Sequence, residues 1–214
     1  MSADPLRHSV VMRVLLMMLF TLIGVPAMAI EEPGFERVGT REGYELRRYP
    51  GYSVAETEVT GTQADVGNAA FRILAKYIFG GNVTQQSIAM TAPVIQAQSE
   101  KIAMTAPVIL QPGDTPGSYV VQFTMPSKYT LDTLPKPNDA RVRLREVPDR
   151  VVAARTYKGG WSLKRYEEEL AVLRAAMQRD GLVAVSEPQW ARYNSPFSLP
   201  FTRRNEIWLE IRPQ

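Results

Sequence analysis

Two carboxylates and an indole alternate along one apolar segment near the end of the chain. Glu206, Trp208 and Glu210 fall on one side of an extended strand, and Ile207, Leu209 and Ile211 on the other. If the Ile-Leu-Ile side packs on helices, the Glu-Trp-Glu side points to solvent. If the Glu-Trp-Glu side lines a barrel interior instead, burial beside Trp208 raises a carboxylate's pKa and suits it to general-base work. Other nucleophilic chemistry is closed off by composition. The 214 residues include no cysteine and a single histidine, His8.

His8 lies in a segment with the form of an export signal. Arg7 and Arg13 supply positive charge, residues 14–25 are an apolar core, and Pro26-Ala27-Met28-Ala29 offers an A-x-A cleavage site. A bilayer span needs about 20 apolar residues, so cleavage after Ala29 is expected, with a soluble periplasmic product and no stable membrane insertion. The mature chain, residues 30–214, then lacks the two commonest soft or borderline metal ligands. It has no Ser-His-Asp or Cys-His nucleophile and no disulfide framework. Removing Arg7, Arg13 and Asp4 leaves 23 basic and 21 acidic residues. That near balance, without a basic block, gives no case for a nucleic-acid partner.

The phrase Ile88-Ala89-Met90-Thr91-Ala92-Pro93-Val94 recurs letter for letter at residues 102–108. Both copies read as strands, with the proline placing each near an edge, an end or a bulge. The polar interval 96–101 has the length of a hairpin loop. A second similarity runs at an offset of 98: Leu46 to Ala55 parallels Leu144 to Ala153, with Pro50 matching Pro148 and Gly61 matching Gly159. A helix follows each hairpin, over residues 64–79 and 163–179, and strands follow each helix. The order predicts an α+β fold in one domain, built from two pseudo-repeated halves, residues 40–133 and 140–214.

The helices differ. In the second, Ser162 is a good N-cap, and Leu163, Tyr166, Leu170, Leu173 and Met177 form a stripe within roughly 80°. In the first, Val66, Ala69, Ala70, Phe71, Ile73, Leu74, Tyr77 and Ile78 spread over roughly 200°. Packing on one sheet requires less. Either a covering loop or partner takes up the extra face, or an apolar ligand does, chiefly at Phe71, Leu74 and Ile78. Phe71 and Ile78 lie off the stripe centred on Val66, Ile73 and Tyr77.

Three stretches together resemble the SOUL haem-binding family: residues 71–82 (FRILAKYIFGGN), the Ile-Ala-Met-Thr-Ala-Pro-Val phrases, and Tyr193-Asn194-Ser195-Pro196 with Arg204-Asn205-Glu206-Ile207-Trp208-Leu209. The resemblance runs from about Pro33 to the end. It implies a distorted antiparallel barrel or sheet of two halves, each with one long helix. It also implies non-covalent binding of haem or another tetrapyrrole, with the first helix as a wall of the site. Positions that are basic in mammalian relatives fall on Asn68 and Leu199, and a methionine position falls on Ala75. With Phe71, Arg72, Leu74 and Ile78 these make up the expected ligand-binding set. Arg72, Lys76, Arg203 and Arg204 are the basic residues on hand for ligand carboxylates. Met90, Met104, Tyr77 and Tyr193 are the candidates for an axial contact to iron.

The expected function is therefore periplasmic binding of haem or a related amphipathic planar ligand, by hydrophobic capture without histidine and without catalysis. One alternative follows from a remoter resemblance to GyrI-like domains: a small-molecule hydrolase or effector-binding domain using Glu206 or Glu210. Another is an envelope interaction scaffold that docks through the doubled phrase.

Overall fold

Alternating apolar residues fold into strands wherever both faces of a sheet can be covered. The computed structural model, which describes residues 30–85 and 98–212, has nine of its strands in one antiparallel sheet. The strands are β1 (Glu36–Arg41), β2 (Tyr44–Tyr49), β3 (Tyr52–Thr60), β4 (Asn82–Val83), β5 (Val108–Pro112), β6 (Ser118–Thr124), β7 (Lys136–Pro137), β8 (Arg143–Val147), β9 (Arg150–Lys158), β10 (Gln189–Arg192) and β11 (Arg204–Ile211). The helices are α1 (Gln63–Ile78) and α2 (Leu163–Arg179). The sheet order is β1-β2-β9-β11-β10-β5-β6-β3-β8, and β4 pairs with β7 apart from it. No helix among the described residues is long and apolar enough to cross a membrane.

The 98-residue offset reappears in the strand register. Leu46 pairs with Ala153 and Leu144 pairs with Ala55, the same pair with the halves exchanged. Tyr49 with Arg150 and Val147 with Tyr52 obey the same exchange. In this way β2 pairs with β9 and β8 with β3, and β10 meets β5 at the centre.

Both helices pack on one face of the sheet, α1 over β3 and β6, α2 over β9 and β11. The main core lies beneath them, with Leu74, Leu173, Ile207 and Leu209 wholly buried. Each such side chain contributes about 1.5–3 kcal/mol by leaving water. The Ser162 hydroxyl caps α2 by accepting from Arg165 N at 3.3 Å. On the opposite face Tyr49, Ile109, Val152, Ala154, Ala191 and Trp208 form a second, smaller cluster.

Several expectations need correction. The second copy of the phrase is not a strand: only a bridge from Thr105 to Glu31 and the entry into β5 at Val108 are regular. Its backbone pairs elsewhere, Ile102 N with Ile78 O at 2.8 Å and Ala106 N with Glu31 O at 2.9 Å, and Pro107 has no N–H to give. Leu163, counted in the α2 stripe, is exposed at the first turn. The first copy, Met90 and the signal segment lie outside the described residues.

Candidate functional site

The Glu-Trp-Glu side of β11 lies on the face away from the helices, yet it does not meet solvent. Glu206 is 2% exposed and Trp208 is fully buried, while Glu210 is only partly covered. Residues 31–35 run along this face. Phe35 lies 5.3 Å from the Tyr49 ring, and Glu32 pairs with Arg204 at 2.6 Å. Glu206 is a hub for donors. Its Oε2 accepts from Arg47 Nη1 at 2.8 Å, Trp208 Nε1 at 2.8 Å and the Tyr193 hydroxyl at 2.9 Å. Its Oε1 accepts from Thr156 Oγ1 at 3.2 Å. Burial works against the charge of Arg47, but the neighbouring Glu206 carboxylate holds the guanidinium above its ordinary value. A carboxylate held by four donors, one of them a guanidinium, is a structural tie within the sheet.

The ligand set expected on α1 divides in two. Leu74 and Ile78 point into the core, and Ala75 is buried at its margin. The wide arc is covered at these positions by the loops after the helix. Ile102 and Leu134 join the same core cluster, and the Tyr77 hydroxyl donates to Pro135 O at 2.9 Å. Ile78 is therefore on the packing stripe, and Ile73 is only partly buried. Asn68 and Arg72 are exposed, and Phe71 is half-buried with its ring 5.4 Å from Phe123. Leu199 is 59% exposed at the start of the 3-10 turn Pro200–Thr202. Of the candidate axial residues, Tyr77 and Tyr193 are engaged as donors, and Met104 is exposed.

A second group of residues ties the first half of α1 to the loop carrying Leu199. Trp161, just before α2, donates from Nε1 to Asn205 Oδ1 at 2.7 Å, which fixes its indole. Two guanidinium groups lie on that ring, Arg203 at 4.4 Å and Arg192 at 4.8 Å from its centroid. Arg203 is satisfied by loop carbonyls, donating to Ser198 O at 2.9 Å and Pro196 O at 2.7 Å. Arg192 extends to α1, where a Cβ on Gly67 would stand 3.1 Å from its Nη1. The same loop presents Phe197 and Phe201, 95% and 69% exposed.

A cleft of about 670 Å³ opens between residues 31–34 and the loop following β6. Its wall carries four carboxylates, Glu31, Glu32, Asp132 and Glu146, together with Tyr52 and Tyr129. Glu32 is paired with Arg204, and the other three carboxylates give the cleft a sign of charge that disfavours a dicarboxylate.

The sequence model of the SOUL heme-binding protein family matches residues 30–99 and 96–210. The chain belongs to the SOUL haem-binding family. Each matched segment carries one copy of the doubled phrase, so the duplication sits at their joint. Among curated relatives of this SOUL protein, human "Heme-binding protein 2" is 30% identical over 192 residues, covering 86% of this chain and 87% of its own. Bovine "Heme-binding protein 1" is 26% identical, covering 78% and 82%. Solved structures share the fold at lower identity. The EcmrR C-terminal domain superposes with a TM-score of 0.57 at 10% identity, covering 79% of this chain and 98% of that domain. A hydrolase from Listeria innocua superposes with a TM-score of 0.54 at 12% identity, covering 81% and 93%. At such identity the likeness shows the fold alone.

Arg192 and Trp161 were not singled out from the sequence of this SOUL chain. Arg192 ends β10, two residues beyond Trp190, so it shares the helix face with the core. A basic residue in phase with the apolar side of a strand was the available signal. Gly67, an interior helix glycine that costs about 1 kcal/mol relative to alanine, was another.

Proposed function

We propose that this chain binds haem or a related tetrapyrrole, non-covalently, in the periplasm, by hydrophobic capture without a histidine ligand. The observation that carries the proposal is the cluster on the helix side where the first half of α1, Trp161 and the loop 193–203 meet. It combines an aromatic platform, two guanidinium groups, and the exposed apolar residues Phe197, Leu199 and Phe201. Membership of a haem-binding family supports the ligand class. The residues fit the edge and faces of a tetrapyrrole: apolar side chains for the macrocycle, cations for its carboxylates. When bound, haem would supply its own colour and iron chemistry, and the protein would supply burial and orientation.

The test is a titration of the processed protein with haemin, read by the Soret band and tryptophan fluorescence. A broad, weak Soret band is expected, because His8 is the only histidine and falls within the segment to be removed. No shift and no quenching at micromolar ligand would refute binding, and a sharp bis-nitrogen six-coordinate spectrum would refute capture without histidine. N-terminal sequencing of the same material should read from Ile30. A membrane-bound product reading from Met1 or Met12 would refute the periplasmic assignment.

A further inference from the structure

Arginines in a folded protein are normally either solvated or paired with a carboxylate, because a desolvated cation without a counter-charge is costly. Arg192 is neither. It is half-buried, with no hydrogen bond or ion pair to another described residue from its guanidinium. Its contacts are the Trp161 ring and the flank of α1 at Gly67. Burial pushes it below the ordinary arginine range, and the like charge of Arg203 adds to that. Even so, an arginine stays protonated at neutral pH.

The other nearby cations do not share this condition. Arg203 is committed to Ser198 O and Pro196 O, and Arg204 to Glu32. Arg72 and Lys76 are exposed, where a carboxylate contact is worth little. Two construction details keep the Arg192 fork in place. Trp161 is locked by Asn205, which itself donates to Gly159 O at 3.1 Å. The missing side chain of Gly67 leaves the space that the guanidinium fills.

We propose that Arg192 is an anion anchor that receives a carboxylate of the bound ligand, with Trp161 as the platform beneath it. The inference rests on the tetrapyrrole reading and names the group that would orient the macrocycle: one propionate at Arg192, the apolar body towards Phe71 and the exposed loop. A carboxylate there would relieve the uncompensated charge of two guanidinium groups on one indole. It would also accept a bidentate hydrogen bond, the geometry in which arginine exceeds lysine.

Haemin and haemin dimethyl ester separate the charge contribution from apolar capture. The processed protein should bind haemin about 10- to 100-fold more tightly than the ester, the range expected of a charge-assisted hydrogen bond. In Arg192→Gln the two affinities should converge to within about 3-fold, with ester binding unchanged, and Arg192→Lys should recover part of the difference. Gly67→Ala, which presses a methyl group against the guanidinium, should reduce the preference without touching Arg192, and serves if Arg192→Gln does not fold. Binding of neither porphyrin by the parent protein would overturn the tetrapyrrole reading, and this inference with it. Equal binding of both porphyrins by the parent, a preference that survives in Arg192→Gln and Gly67→Ala, or loss of ester binding in Arg192→Gln would overturn the anchor alone.

Discussion

Replacing Glu206 by glutamine keeps its size and removes its charge, so it isolates what the buried carboxylate does. Three donors converge on Oε2, from Arg47, Trp208 and Tyr193. The amide can present one oxygen to them, but its NH2 then faces Thr156 and Arg204, and the charge-assisted part of each bond is lost. Removing one partner of a buried pair costs about 3–5 kcal/mol. Arg47 is not left alone, because Glu45 stays 2.8 Å from its Nη2. The expected loss is accordingly about 2–4 kcal/mol, a fall of about 4–16 °C in Tm for a domain of this size. Trp208 belongs to the hub, so urea unfolding followed by tryptophan fluorescence reports the same event. Glu210→Gln is the internal control. Its carboxylate is partly exposed and stands 3.8 Å from buried Arg150, which also donates to the Tyr52 hydroxyl, so the contact should be worth less than about 1 kcal/mol. Haemin affinity should change less than about 2-fold in either variant, because the hub and the Trp161 cluster lie on opposite sides of the sheet. A Glu206→Gln protein within about 0.5 kcal/mol of its parent would refute the tie, and a hydrolytic activity lost with the substitution would restore the general-base alternative.

Leu74→Ala and Ile78→Ala should each cost about 2–5 kcal/mol, since both side chains are fully buried beneath α1, whereas Asn68→Ala should stay within about 0.5 kcal/mol. Equal denaturation midpoints for all three would contradict the packing of that helix. Alkaline pH should destabilise the fold through buried phenols. Burial, with an added hydrogen bond to Asp180 for Tyr44, pushes Tyr44, Tyr49 and Tyr157 up to about 12. A tyrosine that holds its proton more tightly folded than unfolded contributes fully below its ordinary value near 10. That contribution is lost as pH rises towards about 12. Tyrosinate absorbance should therefore lag behind that of free tyrosine until unfolding sets in, and a normal titration of every tyrosine with the fold intact would refute this.

Local spacing was enough for much of this architecture. The apolar period and the Ser162 cap marked α2 at the bounds observed, because a helix start and stop depend on residues a few positions apart. The offset of 98 residues aligns Leu46 to Ala55 with Leu144 to Ala153, and in the register Leu46 pairs with Ala153 and Leu144 with Ala55. The residues linking this chain to the SOUL family could also be read in order along the chain. What the sequence left open was coverage, since burial on the second side of a strand or helix is decided by distant segments. Glu206 and Trp208 alternate as a solvated edge would, yet they are buried within a hub joining β2, β9, β10's exit and β11, with residues 31–35 along the same face. The wide apolar arc of α1 resembled a ligand wall, but Ile102 and Leu134 pack against its inner part. Arg192 looked like one basic residue among many. Only the meeting of β10, the start of α2 and Gly67 of α1 leaves it half-buried and without a counter-charge among the described residues, because no local pattern records which charges will lack a counter-charge once the chain has folded.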